Sequence, residues 1–403
     1  MLSPAEAEER IFEAMPAWPA EDCALAQARG RILRGNMRAD RDIPPFDRAT
    51  LDGYALRASS LAAGIRAFRV EAVQAAGMPG VTLGPLPDAC VEIMTGAVMP
   101  EGADCVVGCE DTARDGVTMA IAEPPPGLAA GHAVHRRGSD SRAGDAVVAA
   151  GVRLTGREIA VAAACGLAVL SVSRRPRIAI VATGDELVGV EAVPAPHQIR
   201  RSNEYALRAA LAGGGYPGAE PHHWRDDPAE IEQGLKRVLS DNDVVLFTGG
   251  ISKGKFDYLP AELGKQGARK IFQGIAQKPG KPFWFGLGPR GSPLFALPGN
   301  PVSSYTCLHR YVLPALDRAC GLAPTPLRLA ALSAPVASKR KLACLMPVRL
   351  LSGPRAELLA EPAPGNTSGD FAGLVGTDGF VELPPSDTDF PAGTLASFYP
   401  WMC

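Results

Sequence analysis

Three short apolar segments, each followed at once by a glycine-containing turn, constrain this chain more than any other feature. The segments are residues 177–182, 243–247 and 293–297, and the turns that follow them read TGDE, TGG and PGNP. Apolar runs of this length are typical of strands buried on both faces of a parallel sheet. The turns after such strands meet at one edge of the sheet, where ligands bind, so the sequence predicts a ligand site there.

Helix signals separate these strands. One helix is predicted over 202–211, and glycines at 213–215 end it. The next begins at Asp227 as its N-cap, with Glu230 three residues later as in a capping box. The segment after the third turn repeats an apolar residue every three or four positions. Alternating strands and helices predict an α/β domain with a parallel-rich sheet.

The flanking regions have a different character. A chain of 403 residues is expected to form two to four domains. Glycine and proline, 44 and 37 residues, cluster before about residue 150 and after about residue 322. Short β-like runs alternate with Gly/Pro turns at 68–73, 89–94 and 105–109. These features predict a small β domain on each side of the α/β block.

The charge and the cysteines exclude several classes of protein. The net charge is -2, which argues against the strongly basic surface that nonspecific nucleic-acid binding needs. Nine cysteines form no CxxC pair, so reduced and mostly buried thiols are expected. The acidic N-terminal segment does not resemble a signal peptide, and the longest apolar run, 159–170, is too short to span a membrane. We therefore predict a cytoplasmic protein without nucleic-acid or membrane partners.

The segment GGISKGKF at 249–256 nearly matches a P-loop. Phe256 stands where a serine or threonine would hold magnesium, which argues against a standard P-loop NTPase. A simple tight turn is the plain alternative. Three glycine turns on one sheet edge favour a phosphate-binding loop of another kind.

Charged side chains accompany these turns. Glu186 and Asp257 are not needed as helix caps, so they are candidate ligands for Mg²⁺, which takes oxygens from carboxylates and phosphates together. Lys278 and Lys281 enclose a Pro-Gly turn and are candidates for phosphate binding, although most lysine pairs are merely solvated. The six histidines show no metal or triad spacing and are assigned to surface or core.

Taken in order along the chain, these motifs resemble one family. The matching segments are PFDRATLDGYA at 45–55, IMTG at 93–96, PEGAD at 100–104, RRGSD at 136–140, GD at 144–145, TGDEL at 183–187, SN at 202–203, DD at 226–227, GGIS at 249–252, KPGKP at 278–282 and LPGNPVS at 297–303. Their number and common order are specific. The chain is thereby similar to the molybdopterin molybdenumtransferases, the MoeA family, which includes the E domain of gephyrin.

That resemblance implies four domains: a helical linker domain (1–39 and 136–174), an inserted β domain (40–135), a MogA-like three-layer α/β domain (175–322) and a C-terminal β domain (323–403). It implies a homodimer whose active site joins the α/β domain of one subunit to the inserted domain of the other. The implied reaction inserts molybdate into adenylyl-molybdopterin with Mg²⁺ and releases AMP. Other enzymes of molybdenum cofactor biosynthesis are candidate partners.

The resemblance also implies the site residues. Catalytic roles fall on five acids, Asp52, Asp140, Glu186, Asp226 and Asp257, of which Glu186 and Asp257 are the predicted metal ligands. The predicted substrate-binding residues are Thr95, Thr183, Gly184, Asp185, Gly249, Gly250, Ser252, Lys278, Lys281, Pro298, Gly299, Asn300, Pro301 and Ser303. Two positions depart from the family pattern: Lys255 stands where many members have an acid, and Gly274 where some have a lysine.

Two other functions stay open. A molybdopterin adenylyltransferase would be similar in the α/β block, but it would need neither flanking β domain and would consume ATP. A molybdopterin-binding scaffold, as gephyrin partly is, would be catalytically silent. The nearly complete set of acids and the motif around Asp52 favour the molybdenumtransferase.

Overall fold

The computed structural model describes residues 1–250, 259–338 and 341–401 of the chain. Ser252, Lys255 and Asp257, which the sequence singled out, lie outside these described residues. The chain forms two compact units. The first comprises Met1–Gly35, Gly151–Thr155 and Val169–Cys403, and the second comprises Asn36–Ala150 and Gly156–Ala168.

A six-stranded sheet organises the first unit. In spatial order its strands are Glu220–Trp224, Ile178–Thr183, Val244–Thr248, Pro293–Leu297, Trp284–Leu287 and Arg269–Gln273. The first four strands are parallel, and Trp284–Leu287 runs antiparallel to both of its neighbours, so Arg269–Gln273 has the same direction as the first four. The three strands predicted from apolar runs are neighbours in the parallel part and are buried along their whole length. The expected parallel-rich α/β fold is confirmed.

Helices cover both faces of this sheet. Ile180 packs into an apolar core with the helix Asn203–Gly213. Its neighbour Val181 packs into a second core with the helices Pro228–Asp241 and Leu259–Lys265. Because successive side chains of a strand point to opposite faces, a wholly apolar strand requires a helical layer on each side. The result is the predicted three-layer arrangement.

The helix Pro228–Asp241 begins at its predicted cap. The Asp227 carboxylate accepts hydrogen bonds from the N–H groups of Ala229 (3.0 Å) and Glu230 (2.8 Å). The reciprocal half of the capping box was expected from Glu230, but its carboxylate instead accepts from the Arg225 N–H at 3.2 Å. Glu230 therefore fixes the loop before the helix, which contains Asp226, rather than the cap itself.

The helix after the third strand is interrupted, which its apolar periodicity did not predict. It runs as Pro301–Cys307, then a π-helical turn Leu308–Val312, then Leu313–Ala319. Arg310, on the π-turn, is only 2% exposed. Its guanidinium donates to Glu8 and to Glu382, each at 2.6 Å. It therefore joins the N-terminal helix Pro4–Ala14 to the C-terminal strands.

Five C-terminal strands form a closed ring within the first unit. In ring order they are Ala343–Ser352, Leu358–Pro362, Arg328–Leu332, Leu395–Pro400 and Gly379–Leu383. The last strand pairs back onto the first, so the ring has no open edge there. The short strand Gln277–Lys278 pairs with the start of Ala343–Ser352.

A second six-stranded sheet organises the second unit. Its strands are, in order, Cys105–Gly108, Gly53–Leu56, Ala89–Ile93, Ala67–Gln74, Thr118–Ile121 and Thr112–Asp115. All three β-like runs predicted in this region are strands of this sheet. The unit also contains the helices Ala58–Ala62 and Gly156–Ala164 and the paired strands Met37–Arg38 with Ala146–Val148 and Arg48–Ala49 with Val134–His135.

The shorter elements of the first unit complete the fold. They are the strand pairs Ala20–Ala24 with Val169–Ser173 and Leu187–Val188 with Ile199–Arg200, and the 3₁₀ turns Leu25–Gln27 and Phe371–Leu374. Within the described residues, no helix is both long and apolar enough to cross a bilayer. The eight described cysteines are free thiols, and all but Cys109 are buried, as predicted.

Candidate functional site

A cavity of about 570 Å³ lies where the turns of the central sheet meet. All three turns predicted to share one edge contribute to its wall: Thr183, Gly249, Gly250, Pro298, Gly299, Asn300 and Pro301. The rest of the wall is formed by Glu186, the segment 199–204, Ala182, Leu187, Thr248, Pro282 and Gly369. The sequence-based inference that the turns converge is confirmed.

Two glycines bring the second turn against Thr183. Gly249 and Gly250 have φ of +97° and +67°. A Cβ on Gly249 would lie 2.9 Å from the Thr183 carbonyl oxygen, and one on Gly250 would lie 2.7 Å from Thr183 Oγ1. Glycine alone combines this backbone conformation with so close an approach. This part of the wall is therefore made of main chain.

Two polar groups on the wall retain hydrogen-bonding capacity. Thr183 is 5% exposed, and its hydroxyl has no hydrogen-bond partner among the described residues. Asn203 donates from Nδ2 to Thr248 Oγ1 (2.8 Å) and to the Gly299 carbonyl (2.7 Å), so it links the second and third turns. Its Oδ1 is buried and, within the described part of the chain, unpaired. Buried polar atoms are normally bonded, so these atoms mark the wall as a place for a polar ligand.

The predicted acids of the first unit lie close to the same turns. Glu186 lines the cavity, and its carboxylate folds back so that a Cβ on Gly184 would lie 2.5 Å from Oε2. Asp185 accepts a hydrogen bond from the Asp226 N–H at 3.2 Å, which joins the first turn to the loop before the helix Pro228–Asp241. Neither Asp185 nor Asp226 is part of the cavity lining. The described residues contain no group of three His, Cys, Asp or Glu side chains arranged to hold a metal.

A loop from the C-terminal strands reaches the third turn. Asn300 Nδ2 donates to Ser368 Oγ at 2.9 Å, and the Val302 N–H donates to the Ser368 carbonyl at 3.1 Å. Ser368 was not among the predicted site residues. The Gly/Pro-rich segment around it signalled a loop, but nothing in the sequence linked that loop to a turn 68 residues earlier. The predicted residue Ser303 is buried in the following helix and lies outside the cavity lining.

The two predicted lysines are exposed at the ends of a tight turn. Lys278 and Lys281 are not in the cavity lining, whereas the adjacent Pro282 is. Gln277, fully buried beneath the turn, donates from Nε2 to the Pro279 carbonyl at 3.0 Å. Gly274, where the family pattern allows a lysine, has φ of +86°, which disfavours any side chain there.

In the second unit, two predicted catalytic acids, Asp52 and Asp140, each form an acidic site with a neighbouring side chain, and the partner of Asp52 is Thr95. Asp52 Oδ1 accepts from the Thr95 N–H at 2.6 Å and from Thr95 Oγ1 at 2.9 Å. These two hydrogen bonds, the backbone bond first, lower the pKa of the Asp52 carboxyl below its ordinary value. The structure thus brings together a predicted catalytic acid and a predicted substrate-binding residue.

Asp140 forms the other acidic site with a histidine that the sequence reasoning had set aside. His135 Nε2 lies 2.9 Å from Asp140 Oδ1, and Arg48 lies 3.1 Å from His135 Nδ1. Because an arginine can only donate, Nδ1 is the acceptor, and Nε2 then carries the proton that is donated to Asp140. The assignment of this histidine to surface or core was incomplete: it orients a predicted catalytic acid. Its position directly before the RRGSD motif was the available signal.

Family comparisons cover nearly the whole chain. Three family models match: the MoeA N-terminal region (domain I and II) at residues 2–166, a probable molybdopterin binding domain at 179–318 and the MoeA C-terminal region (domain IV) at 330–401. A molybdopterin molybdenumtransferase from Synechocystis sp. is 38% identical over 402 residues, which is 100% of both chains. One from Staphylococcus epidermidis is 33% identical over 323 residues, 79% of this chain and 76% of that one.

Solved structures with the same overall fold as this chain are known. Two crystal structures of molybdopterin biosynthesis MoeA proteins from Pyrococcus horikoshii match at TM-scores of 0.79 and 0.81. Their sequences are 29% and 23% identical to this chain, and each match covers 100% of it and 99% or 100% of the other. The similarity extends over both units of the chain.

Proposed function

Because the chain belongs to the MoeA family, whose curated members are molybdopterin molybdenumtransferases, we propose that it inserts molybdate into adenylyl-molybdopterin and releases AMP. One observation carries the proposal: three strand-end turns and Glu186 surround a single cavity of about 570 Å³. That volume lies within the usual range for small-molecule sites. The unpaired hydroxyl of Thr183 and the unpaired Oδ1 of Asn203 suit a polar substrate.

The residues of the cavity support binding of an anionic substrate held close to the main chain. The glycine turn at Gly249 and Gly250 packs closely against Thr183 and forms a main-chain part of the wall, which suits a phosphate. Lys278 and Lys281 supply exposed positive charge beside Pro282 of the wall. These features would orient the substrate and balance its charge, and the amide of Asn203 would keep the second and third turns at a fixed spacing.

Glu186 would hold Mg²⁺ in this cavity, together with the substrate phosphates. The fit rests on the chemistry of the donors, since Mg²⁺ in phosphate sites uses one or two carboxylates and takes its other oxygens from phosphate and water. Glu186 matches that pattern as a wall carboxylate beside a polyanion site, whereas Glu204, the other carboxylate of the lining, is paired with Arg201. The bound ion would neutralise phosphate charge. Asp257, the other predicted ligand, lies outside the described residues.

The reaction test measures AMP release from adenylyl-molybdopterin, with and without molybdate and Mg²⁺. We expect release that depends on molybdate and is strongly reduced by Glu186→Gln. The matched control is Glu232→Gln, an exposed carboxylate paired with Lys236 on the helix Pro228–Asp241. ATP consumption with molybdopterin would instead identify an adenylyltransferase. Ligand binding without turnover would identify a scaffold.

The acids of the second unit, Asp52 and Asp140, are proposed to act on the cavity of a partner subunit in a homodimer. Mixing the inactive variants Asp52→Ala and Glu186→Ala would then create heterodimers with one intact site. Random exchange should restore roughly a quarter of wild-type activity, because half of the dimers are mixed and each has one working site of two. Absence of recovery after proven subunit exchange would place both acids in one subunit's site. We also propose the four-domain division described above, because the chain belongs to the MoeA family.

A further inference from the structure

Arg201 occupies a defined place on the cavity wall. It follows the strand Ile199–Arg200, and its N–H donates to the Val188 carbonyl at 3.0 Å, which fixes its backbone. It immediately precedes Ser202, the N-cap of the helix Asn203–Gly213. Arg201 is one of the residues that line the cavity, and its side chain is partly exposed. Neither the motifs nor the resemblance assigned it a role.

The guanidinium of Arg201 is only partly satisfied. Its side chain is 23% exposed, and its ion-pair partner is Glu204, whose side chain is 5% exposed. The shortest distance between them, from NH1 to Oε2, is 3.6 Å, too long for a good hydrogen bond. Arg201 Nε is buried and has no acceptor among the residues that the structure describes. A guanidinium has five N–H donors in a planar fork, so most of its donors remain available.

A second observation on the same wall points to a ligand. The Thr183 hydroxyl is buried and has no hydrogen-bond partner in the described ranges, and Thr183 lines the same cavity. Asn203 Oδ1, a second buried atom without a partner among the described residues, belongs to the same wall. A donor fork and an unpaired hydroxyl on one wall together match a tetrahedral oxyanion.

We propose that Arg201 binds a phosphate group of the substrate, with the Thr183 hydroxyl as a second contact. The proposal deepens, and rests on, the proposed function, in which the substrate carries an adenylyl group. The planar fork of arginine matches two phosphate oxygens at once. Glu204 holds the fork in place without occupying it, because 3.6 Å leaves the donors free. The other charged groups on the wall are Arg200, Glu186 and Glu204.

Calorimetric titration of the full-length protein with AMP, inorganic pyrophosphate, molybdate and adenosine tests the proposal. Arg201→Gln should weaken AMP and pyrophosphate binding about tenfold or more, the loss expected for a charge-assisted hydrogen bond. Adenosine, which has no phosphate, should bind wild type and variant equally. A loss confined to molybdate would overturn the assignment to phosphate. The control Arg208→Gln removes the same charge from an exposed position on the helix Asn203–Gly213 and should leave all affinities unchanged.

The alternative is that Arg201 only neutralises the buried Glu204. In that case Arg201→Gln would lower the unfolding temperature and leave AMP affinity intact, which would overturn the proposal. The double variant Arg201→Gln/Glu204→Gln removes both charges and protects against misfolding from an unpaired buried carboxylate. It should still bind AMP weakly, and Thr183→Val should show a smaller loss. Failure of the wild-type protein to bind AMP or pyrophosphate would refute the substrate class of the proposed function as well.

Discussion

The cavity of the central sheet and the two acidic sites of the second unit are built in opposite ways. The cavity wall depends on main chain: Gly249 and Gly250 at positive φ touch Thr183 at distances that exclude a side chain. The acidic sites depend on exposed side chains, with Asp52 held by Thr95 and Asp140 held by His135. A backbone-built wall tolerates almost no added atom, whereas a hydrogen-bonded carboxylate can be adjusted in position or pKa. Substitutions at Gly249 and Gly250 should therefore act as all-or-none changes, whereas substitutions at the acidic sites should act as graded changes.

The largest effect is expected from Gly250→Val. The new side chain would strain a backbone at φ +67° and collide with Thr183 Oγ1, 2.7 Å from the Cβ position. AMP binding should be abolished while circular dichroism still reports a folded protein. Gly218→Val is the matched control, because Gly218 has φ of +85° but no atom within 4 Å of its Cβ position. If both variants lose AMP binding equally, the loss in Gly250→Val cannot be assigned to the close approach between Gly250 and Thr183.

A smaller but still large effect is expected at Asp52. Asp52→Asn removes the carboxylate and should lower the rate of AMP release about a hundredfold, at the low end of the range for general acid–base groups. Wild-type thermal stability in this variant would show that the change acts on chemistry. An unchanged rate of AMP release would show that Asp52 takes no part in the reaction.

Thr95→Val tests the graded behaviour at the same site. It removes the hydroxyl donor and keeps the backbone N–H, so the lowered pKa of Asp52 should rise towards its ordinary value. A depressed carboxyl pKa keeps the group ionised until the pH falls through that pKa. The acid limb of the AMP-release profile should therefore move to higher pH in the variant. A profile that does not move would show that ionisation of Asp52 does not control the rate.

His135 should have a more moderate influence, because it acts through Asp140. His135→Ala should reduce the rate about tenfold, whereas His135→Gln should restore most of it, since the Gln amide can donate from nearly the same place. A purely structural role would make both variants equally unstable and equally slow. Thermal unfolding measured beside the rate separates the two outcomes.

The smallest effect on function is expected at the cap of the helix Pro228–Asp241. Asp227→Ala removes two hydrogen bonds to backbone N–H groups and should cost about 1 kcal/mol of unfolding free energy. AMP release should stay close to wild type, because the neighbouring Asp226 loop is also fixed by Glu230. A large loss of activity would mean that the cap, rather than Glu230, positions Asp226.

Local patterns were sufficient to predict much of the fold. The strands Ile178–Thr183, Val244–Thr248 and Pro293–Leu297 followed from short apolar runs, and their shared edge followed from parallel pairing. The Asp227 cap and the strands of the second unit were also predictable, because each rests on neighbouring residues. The number and order of the motifs were sufficient to predict the family.

What the sequence did not predict depends on contacts between distant segments. Ser368 meets Asn300 across 68 residues, and Arg48 meets His135 across 87. All five residues of the π-turn Leu308–Val312 are buried, so the spacing of its apolar residues does not distinguish it from regular helix. Arg201 carries no motif, and only its place on the wall distinguishes it from an ordinary surface charge.

Arg310 limits how freely the parts of this chain can be exchanged during evolution or engineering. Its buried positive charge is paired with Glu8 of the first helix and with Glu382 of a C-terminal strand. The charges of these three distant segments must therefore change together. A chimera that takes its C-terminal ring from a relative must bring an acid equivalent to Glu382. A truncation of the first helix would leave the guanidinium with half of its counter-charge. The C-terminal ring, although closed in its strand pairing, is therefore not an interchangeable module.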